Sequence, residues 1–141
     1  MKKKSLCSIL VVIILLMTIS TDAFAQTTEA SEYIITCFAK IVPGKNGEFD
    51  VEFDIAATGY MTDLGVQKIE VFSSSGGRLA LYESTDPLYA DTLLAHGTFR
   101  YSNAVDCRGT PGRSYYAVVT FYAGDSTGSD TREYTTAMQR V

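Results

Sequence analysis

Residues 48–55, EFDVEFDI, alternate without a break: Phe49, Val51, Phe53 and Ile55 fall on one side, Glu48, Asp50, Glu52 and Asp54 on the other. A period of two belongs to extended chain, whose successive side chains point to opposite faces. The stretch is read as a strand with one face in a core and one in water, and it sets the fold class as all-β.

Working outward, residues 33–42 (YIITCFAKIV) form a β-branched run that ends in Pro43-Gly44 and Asn46-Gly47. These are turn formers, so the run is expected to make a hairpin with the acidic strand. On the other side come residues 66–73 (VQKIEVFS), a Ser-Ser-Gly-Gly turn, residues 78–83 (RLALYE), 98–105 (TFRYSNAV), 114–123 and 131–138. Seven short strands separated by Gly-rich turns predict an antiparallel β-sandwich. One segment breaks the pattern: Asp86 before Pro87 suits a helix start and Gly97 a stop, which predicts a short helix between them.

The chain opens with Lys2, Lys3 and Lys4, runs through apolar residues 6–19, and reaches Ala23-Phe24-Ala25. That is the three-part pattern of a secretory signal peptide, so residues 1–25 are assigned as signal with cleavage after Ala25. The apolar core, about 14 residues, is short of the roughly 20 that an uncleaved bilayer span needs. Cys7 stands at the start of that core, which does not suit a lipid anchor. Residues 26–32 are read as a flexible N-terminus and residues 33–141 as one sandwich domain, secreted and extracellular, without membrane attachment once the signal is removed.

The part after residue 25 holds 9 basic and 15 acidic side chains, a net charge of −6. An acidic surface repels phosphate backbones, so nucleic acid is not an expected partner. Cys37 and Cys107 are the thiols left after cleavage. In an oxidising compartment a disulfide between them is expected, with two free thiols as the alternative and metal ligation weakened by the lack of neighbouring His and Cys. Such a bridge would close a loop of about 70 residues and contribute about 4 kcal/mol in the chain-entropy model.

The segment PGRSYYAVVTFYAGDSTGSDTREYTT, residues 111–136, resembles the end of a fibronectin type III domain: a Pro-Gly lead-in, a tyrosine opening one strand, alternating apolar residues and a Gly-containing turn into the last strand. The resemblance implies an immunoglobulin-like sandwich in which Tyr115 or Tyr116 is the corner tyrosine that bonds back to the preceding loop. The pair MTDLGVQKIEVF and VVTFYAGDSTGSDTREYTT also resembles a family of small secreted Gram-positive bacterial proteins of unknown function, over roughly residues 53–138. The chain departs from a true immunoglobulin domain in having no Trp. Cys107 is read in the loop DCRGTPGR, so the bridge is expected at the periphery of the core. RGT at Arg108 lacks the carboxylate of an adhesion tripeptide.

Each candidate for chemistry has a plainer reading. In GDSTGSD, Asp125 and Asp130 are weak calcium candidates, but Asp, Ser and Gly are what a hairpin turn selects. The stripe Glu48, Asp50, Glu52 and Asp54 is read as a solvated face balanced by Lys40 and Arg100, because a regular exposed row does not split the pKa values of two carboxyls as a glycosidase must. His96 is the sole histidine, read as a loop residue with no motif joining it to Ser102, Ser114 or Cys107. The chain is therefore expected to be no enzyme and to need no cofactor.

The functional lead is aromatic. Tyr115, Ala117, Val119 and Phe121 are assigned to the core, which turns Tyr116, Val118, Thr120 and Tyr122 outward. Pairing about a tight turn would set Arg132, Tyr134 and Thr136 beside them, with Phe72 joining from a neighbouring strand. The expected binding surface is therefore Tyr116, Tyr122, Arg132, Tyr134 and Phe72, for a protein or glycan at the cell surface. Plain β-propensity of Tyr, Thr and Val is the competing reading. A small exported effector, such as an inhibitor or toxin-like protein, is the alternative function.

Overall fold

The computed structural model describes residues 31–141; the expected signal segment, residues 1–25, and residues 26–30 lie outside the described residues. The chain order is β1 (Ile34–Pro43), β2 (Glu48–Ser73), β3 (Arg78–Glu83), α1 (Ala90–Leu93), β4 (Leu94–Arg108), β5 (Ser114–Gly124), β6 (Ser129–Thr135) and β7 (Gln139–Arg140). All seven strands join one antiparallel sheet, which curls, and the fold is all-β.

The curl follows from the length of β2. Its 26 residues would span about 85 Å if straight, far more than a domain of this size can hold. It therefore bends, with register breaks between Ala56 and Met61 and between Val66 and Lys68. Its first half is flanked by β1 and β4, its second half by β5 and β3. The bend curls the sheet back on itself. Two strands expected from sequence, residues 48–55 and 66–73, are thus halves of one bent strand, and the seventh strand is the two-residue β7 at the C-terminus.

The core lies inside the curl. Phe49, Val51, Phe53 and Ile55 are buried, as are Tyr115, Ala117, Val119 and Phe121 on β5. Phe49 and Tyr115 stack across the gap with ring centroids 5.4 Å apart. The Tyr115 hydroxyl accepts the Thr110 N–H at 2.8 Å, so of the two tyrosines expected to reach back to the preceding loop, Tyr115 does so.

Two glycines admit close contacts that a side chain would block. Gly47, at φ +82° in the β1–β2 turn, stands where a Cβ would meet the Gly109 carbonyl at 2.5 Å. Gly65, near the bend, lets Leu93 at the end of α1 pack onto β2; a Cβ there would lie 2.0 Å from the Leu93 carbonyl oxygen.

Other expectations are corrected. α1 is a single turn and Gly97 lies inside β4, because residues 94–98 pair with residues 61–65 of β2 instead of extending the helix. The same strand takes in His96 and Cys107, both read from sequence as loop residues. Ser31 and Glu32, assigned to a flexible terminus, are tied down: Ser31 Oγ accepts the Ile34 N–H at 2.7 Å and the Glu32 carbonyl accepts the Thr58 hydroxyl at 3.1 Å.

The expected disulfide is absent, and Cys37 and Cys107 are free thiols. Register explains it. Cys37 stands opposite Ile55 and Cys107 opposite Phe49, on strands flanking β2 from opposite sides. Six residues of strand separate those positions by about 20 Å, beyond the 7 Å or so of Cα separation that a bridge permits. Cys107 is buried under Tyr82, whose hydroxyl lies 3.2 Å from the sulfur, and burial pushes its thiol up to about 11. Half-burial also raises the Cys37 thiol, partly opposed by the Arg132 guanidinium.

Candidate functional site

In an antiparallel pair, directly opposite residues share a face, so the ladder decides which of the predicted contact residues meet. Phe72 stands opposite Tyr116, and their rings stack at 5.4 Å with 20° between planes, on the face away from the core. That pairing is as expected. Tyr122 points to the same face, but six residues further along β5, about 20 Å from Tyr116. There it stands opposite Gly65 and Thr131, its ring lying close to Gly124.

Arg132 and Tyr134 are on the other face, which corrects the expected patch. Arg132 pairs with Phe121 and Tyr134 with Val119, both core residues, while Thr131, Glu133 and Thr135 take the outer positions beside Tyr122, Thr120 and Val118. The cause is the turn. Asp125–Gly128 is a four-residue loop, and a register one residue away from that of the tight turn exchanges the two faces of β6. Tyr134 instead packs edge-on against Phe38 of β1 at 5.6 Å, and Arg132 lies beside Cys37. Both close the seam where β6 curls toward β1. Thr136 is buried, its hydroxyl accepting the Ala117 N–H at 3.0 Å in place of a backbone carbonyl.

The outer face has members that the sequence reading did not choose. β3 continues the sheet beyond β2, and a bulge places both Arg78 and Leu79 against Phe72, with Leu81 opposite Glu70. Leu79 and Leu81 are exposed, whereas Ala80 and Tyr82 turn toward the core. The alternation of RLALYE signals two faces, and the exposed one carries the leucines. Glu70 holds the centre of the face, bonded to Lys68 at 2.9 Å and Arg78 at 3.2 Å. Those two cations hold the Glu70 carboxyl below its ordinary range, Lys68 most strongly.

The loop carboxylate of Asp125 is engaged by its own turn: it accepts the Thr127 N–H at 2.7 Å, the Thr127 hydroxyl at 2.6 Å and the Gly128 N–H at 3.2 Å, which lower its pKa. Asp130 accepts the Thr131 N–H at 2.8 Å. This is the economy of a turn. The acidic stripe lies on the outer face of β2, with Lys40 on Glu52 at 2.9 Å, Arg100 on Asp54 at 3.2 Å and Arg108 on Glu48 at 4.0 Å. Ser102 also donates to Asp54. Asp50 is the exception, since it faces Asp106 of β4. Partial desolvation, then the hydrogen bond to and charge of Asp106, raise its pKa. His96 pairs with Asp63 across β4 and β2 at 2.6 Å, and Ser102 is held at Asp54 instead.

Comparison of the chain with family models, with curated proteins and with solved structures finds no match.

Proposed function

We propose that the protein is a secreted, non-catalytic interaction module, and that it contacts a protein partner through the outer face formed by β5, the second half of β2 and β3. The observation that carries this reading is the Phe72–Tyr116 stack flanked by Leu79, Leu81 and Arg78. A tyrosine-containing aromatic pair and an arginine on a rigid sheet match the composition of binding hot spots, and the two exposed leucines add apolar area around them. Stacking already covers one face of each ring, which leaves less ring surface for a sugar and favours a protein over a glycan.

The strand grouping supports a fibronectin-III-like sandwich as the scaffold: β1, the first half of β2 and β4 fold over β3, the second half of β2, β5 and β6. Tyr115 bonding back to Thr110 supports it further. Secretion rests on the N-terminal signal pattern.

The test is an array of cell-surface proteins and glycans probed with wild type, Phe72→Ala/Tyr116→Ala, and Thr131→Ala/Glu133→Ala. Wild type is expected to bind protein spots, the aromatic variant to lose at least about tenfold in affinity, and the control pair to bind as wild type. Binding that ignores the loss of Phe72 and Tyr116, or no binding at all, would overturn the reading.

A further inference from the structure

The edges of a sheet are where strands recruit other strands. The seam between β1 and β6 is covered by Phe38, Tyr134, Tyr33 and Thr127. The free side of β4 is held by the α1 segment, whose Thr92 carbonyl accepts from Tyr101 and Asn103 at 2.8 and 3.1 Å. β3 differs: among the described residues its one backbone-paired neighbour is β2.

Ladder geometry identifies which of its groups face outward. The Ser84 N–H donates to the Gln67 carbonyl at 2.9 Å, so residues 84, 82 and 80 turn their polar backbone toward β2. Leu81 and Glu83, in the alternate positions, turn theirs to the open side. The Glu83 carbonyl is used by the Asp86 N–H at 3.0 Å. Leu81 is left with both of its groups aimed outward, at the middle of the edge.

We propose that β3 is a self-association edge, two copies pairing β3 to β3 antiparallel about a two-fold axis at Leu81. In that register each Leu81 exchanges both backbone hydrogen bonds with the partner's Leu81, and position 79 of each copy stands opposite position 83 of the other. The side chains are self-complementary. On the outer face Leu81 meets its symmetry mate, and Arg78, brought to that face by the bulge, reaches the Glu83 carboxylate of the other copy at both ends. Arg78 spends one guanidinium nitrogen on Glu70, which leaves the rest of its fork. No cation lies within salt-bridge distance of Glu83 among the described residues. A two-fold axis perpendicular to the sheet leaves both Phe72–Tyr116 faces on the same side of the dimer. The pairing does not depend on that face being a binding site.

One six-residue edge buries less than a standard interface, which places the dimer in the weak class. Sedimentation velocity of the purified protein from about 1 µM to about 1 mM reads it directly. The expected result is a monomer that becomes a dimer within that range. Leu81→Pro removes an N–H on the open side only, so it should keep the fold by circular dichroism and abolish the dimer. Glu83→Arg should weaken the dimer about tenfold, and adding Arg78→Glu should restore it, since two cross-strand charge pairs are reversed together. Phe72→Ala/Tyr116→Ala should leave the dimer intact, which separates this proposal from the face reading. A monomer throughout, a dimer indifferent to Leu81→Pro and Glu83→Arg, or a charge reversal without rescue would overturn it. If Leu81→Pro fails to fold, the charge series decides alone.

Discussion

Phe121 and Arg132 stand directly opposite one another across β5 and β6, on the side of the sheet that faces the core. The pairing fixes the character of the end hairpin. Every second residue of β6 is committed to closing the curled sheet, and the proposed contact with a partner is left to the outer surface. Tyr134 follows Arg132 on that inner side and packs against Phe38.

Tyr134→Ala should therefore be a stability variant. A half-buried aromatic removed from a packed seam costs about 2 kcal/mol, whereas Glu133→Ala, its outward neighbour, should stay within about 0.5 kcal/mol of wild type. Urea unfolding of the two variants, read at equal slope, makes the comparison.

The Tyr115 hydroxyl holds the Thr110 N–H from inside the core. Tyr115→Phe keeps the stack on Phe49 and leaves that donor unsatisfied, at a cost of about 1 to 2 kcal/mol. The melting temperature should fall by about 4 °C per kcal/mol for a domain of this size. An unchanged melting temperature would show that the bond contributes nothing.

Asp50 and Asp106 face each other on β2 and β4, and the Asp50 carboxyl is raised above its ordinary range. A raised folded-state pKa means that the fold binds the proton more tightly than the unfolded chain does. The favourable contribution is present in acid and is lost as pH rises through the folded value. Asp50→Asn should consequently raise the melting temperature by a few degrees at pH 7, where that contribution has been lost. It should give no gain below the ordinary carboxylate range. A pH series of thermal scans on both proteins tests the sign.

Cys37 and Cys107 are too far apart to bridge and both thiols are shifted up. A reductant should leave the melting temperature unchanged. Alkylation should be slow in the native state and should reach both thiols after unfolding. A mass lower by two hydrogens under non-reducing conditions would contradict the register of β1 and β4.

Much of the fold is legible in local pattern. EFDVEFDI sorts its residues onto the faces that the structure gives them, and the same rule places Tyr115 and Phe121 inside. Lys40 and Arg100 meet the acidic stripe as expected. What the pattern does not carry is anything set by relations between distant strands. Nothing near Gly59 and Gly65 says that residues 48–55 and 66–73 continue through a bend. The period of two in SDTREYT shows two faces without saying which is inner; that choice falls to the four-residue loop before it. A pair of cysteines behind a signal-like N-terminus suggests a bridge by composition, but their register on β2 forbids it. The candidate surface is half legible for the same reason: local pattern turns Tyr116 outward with Phe72 beside it, while nothing local shows that Leu79 and Leu81 lie on the exposed face of an edge strand.

The division of the hairpin into an inner and an outer side underlies the stability predictions and the proposed contact face. Side-chain nuclear Overhauser contacts of the Tyr134 ring test it most directly. The account predicts contacts from Tyr134 to Phe38 and Val119, and from Tyr116 to Phe72. Contacts from Tyr134 to Tyr116, Tyr122 or Phe72 would contradict it.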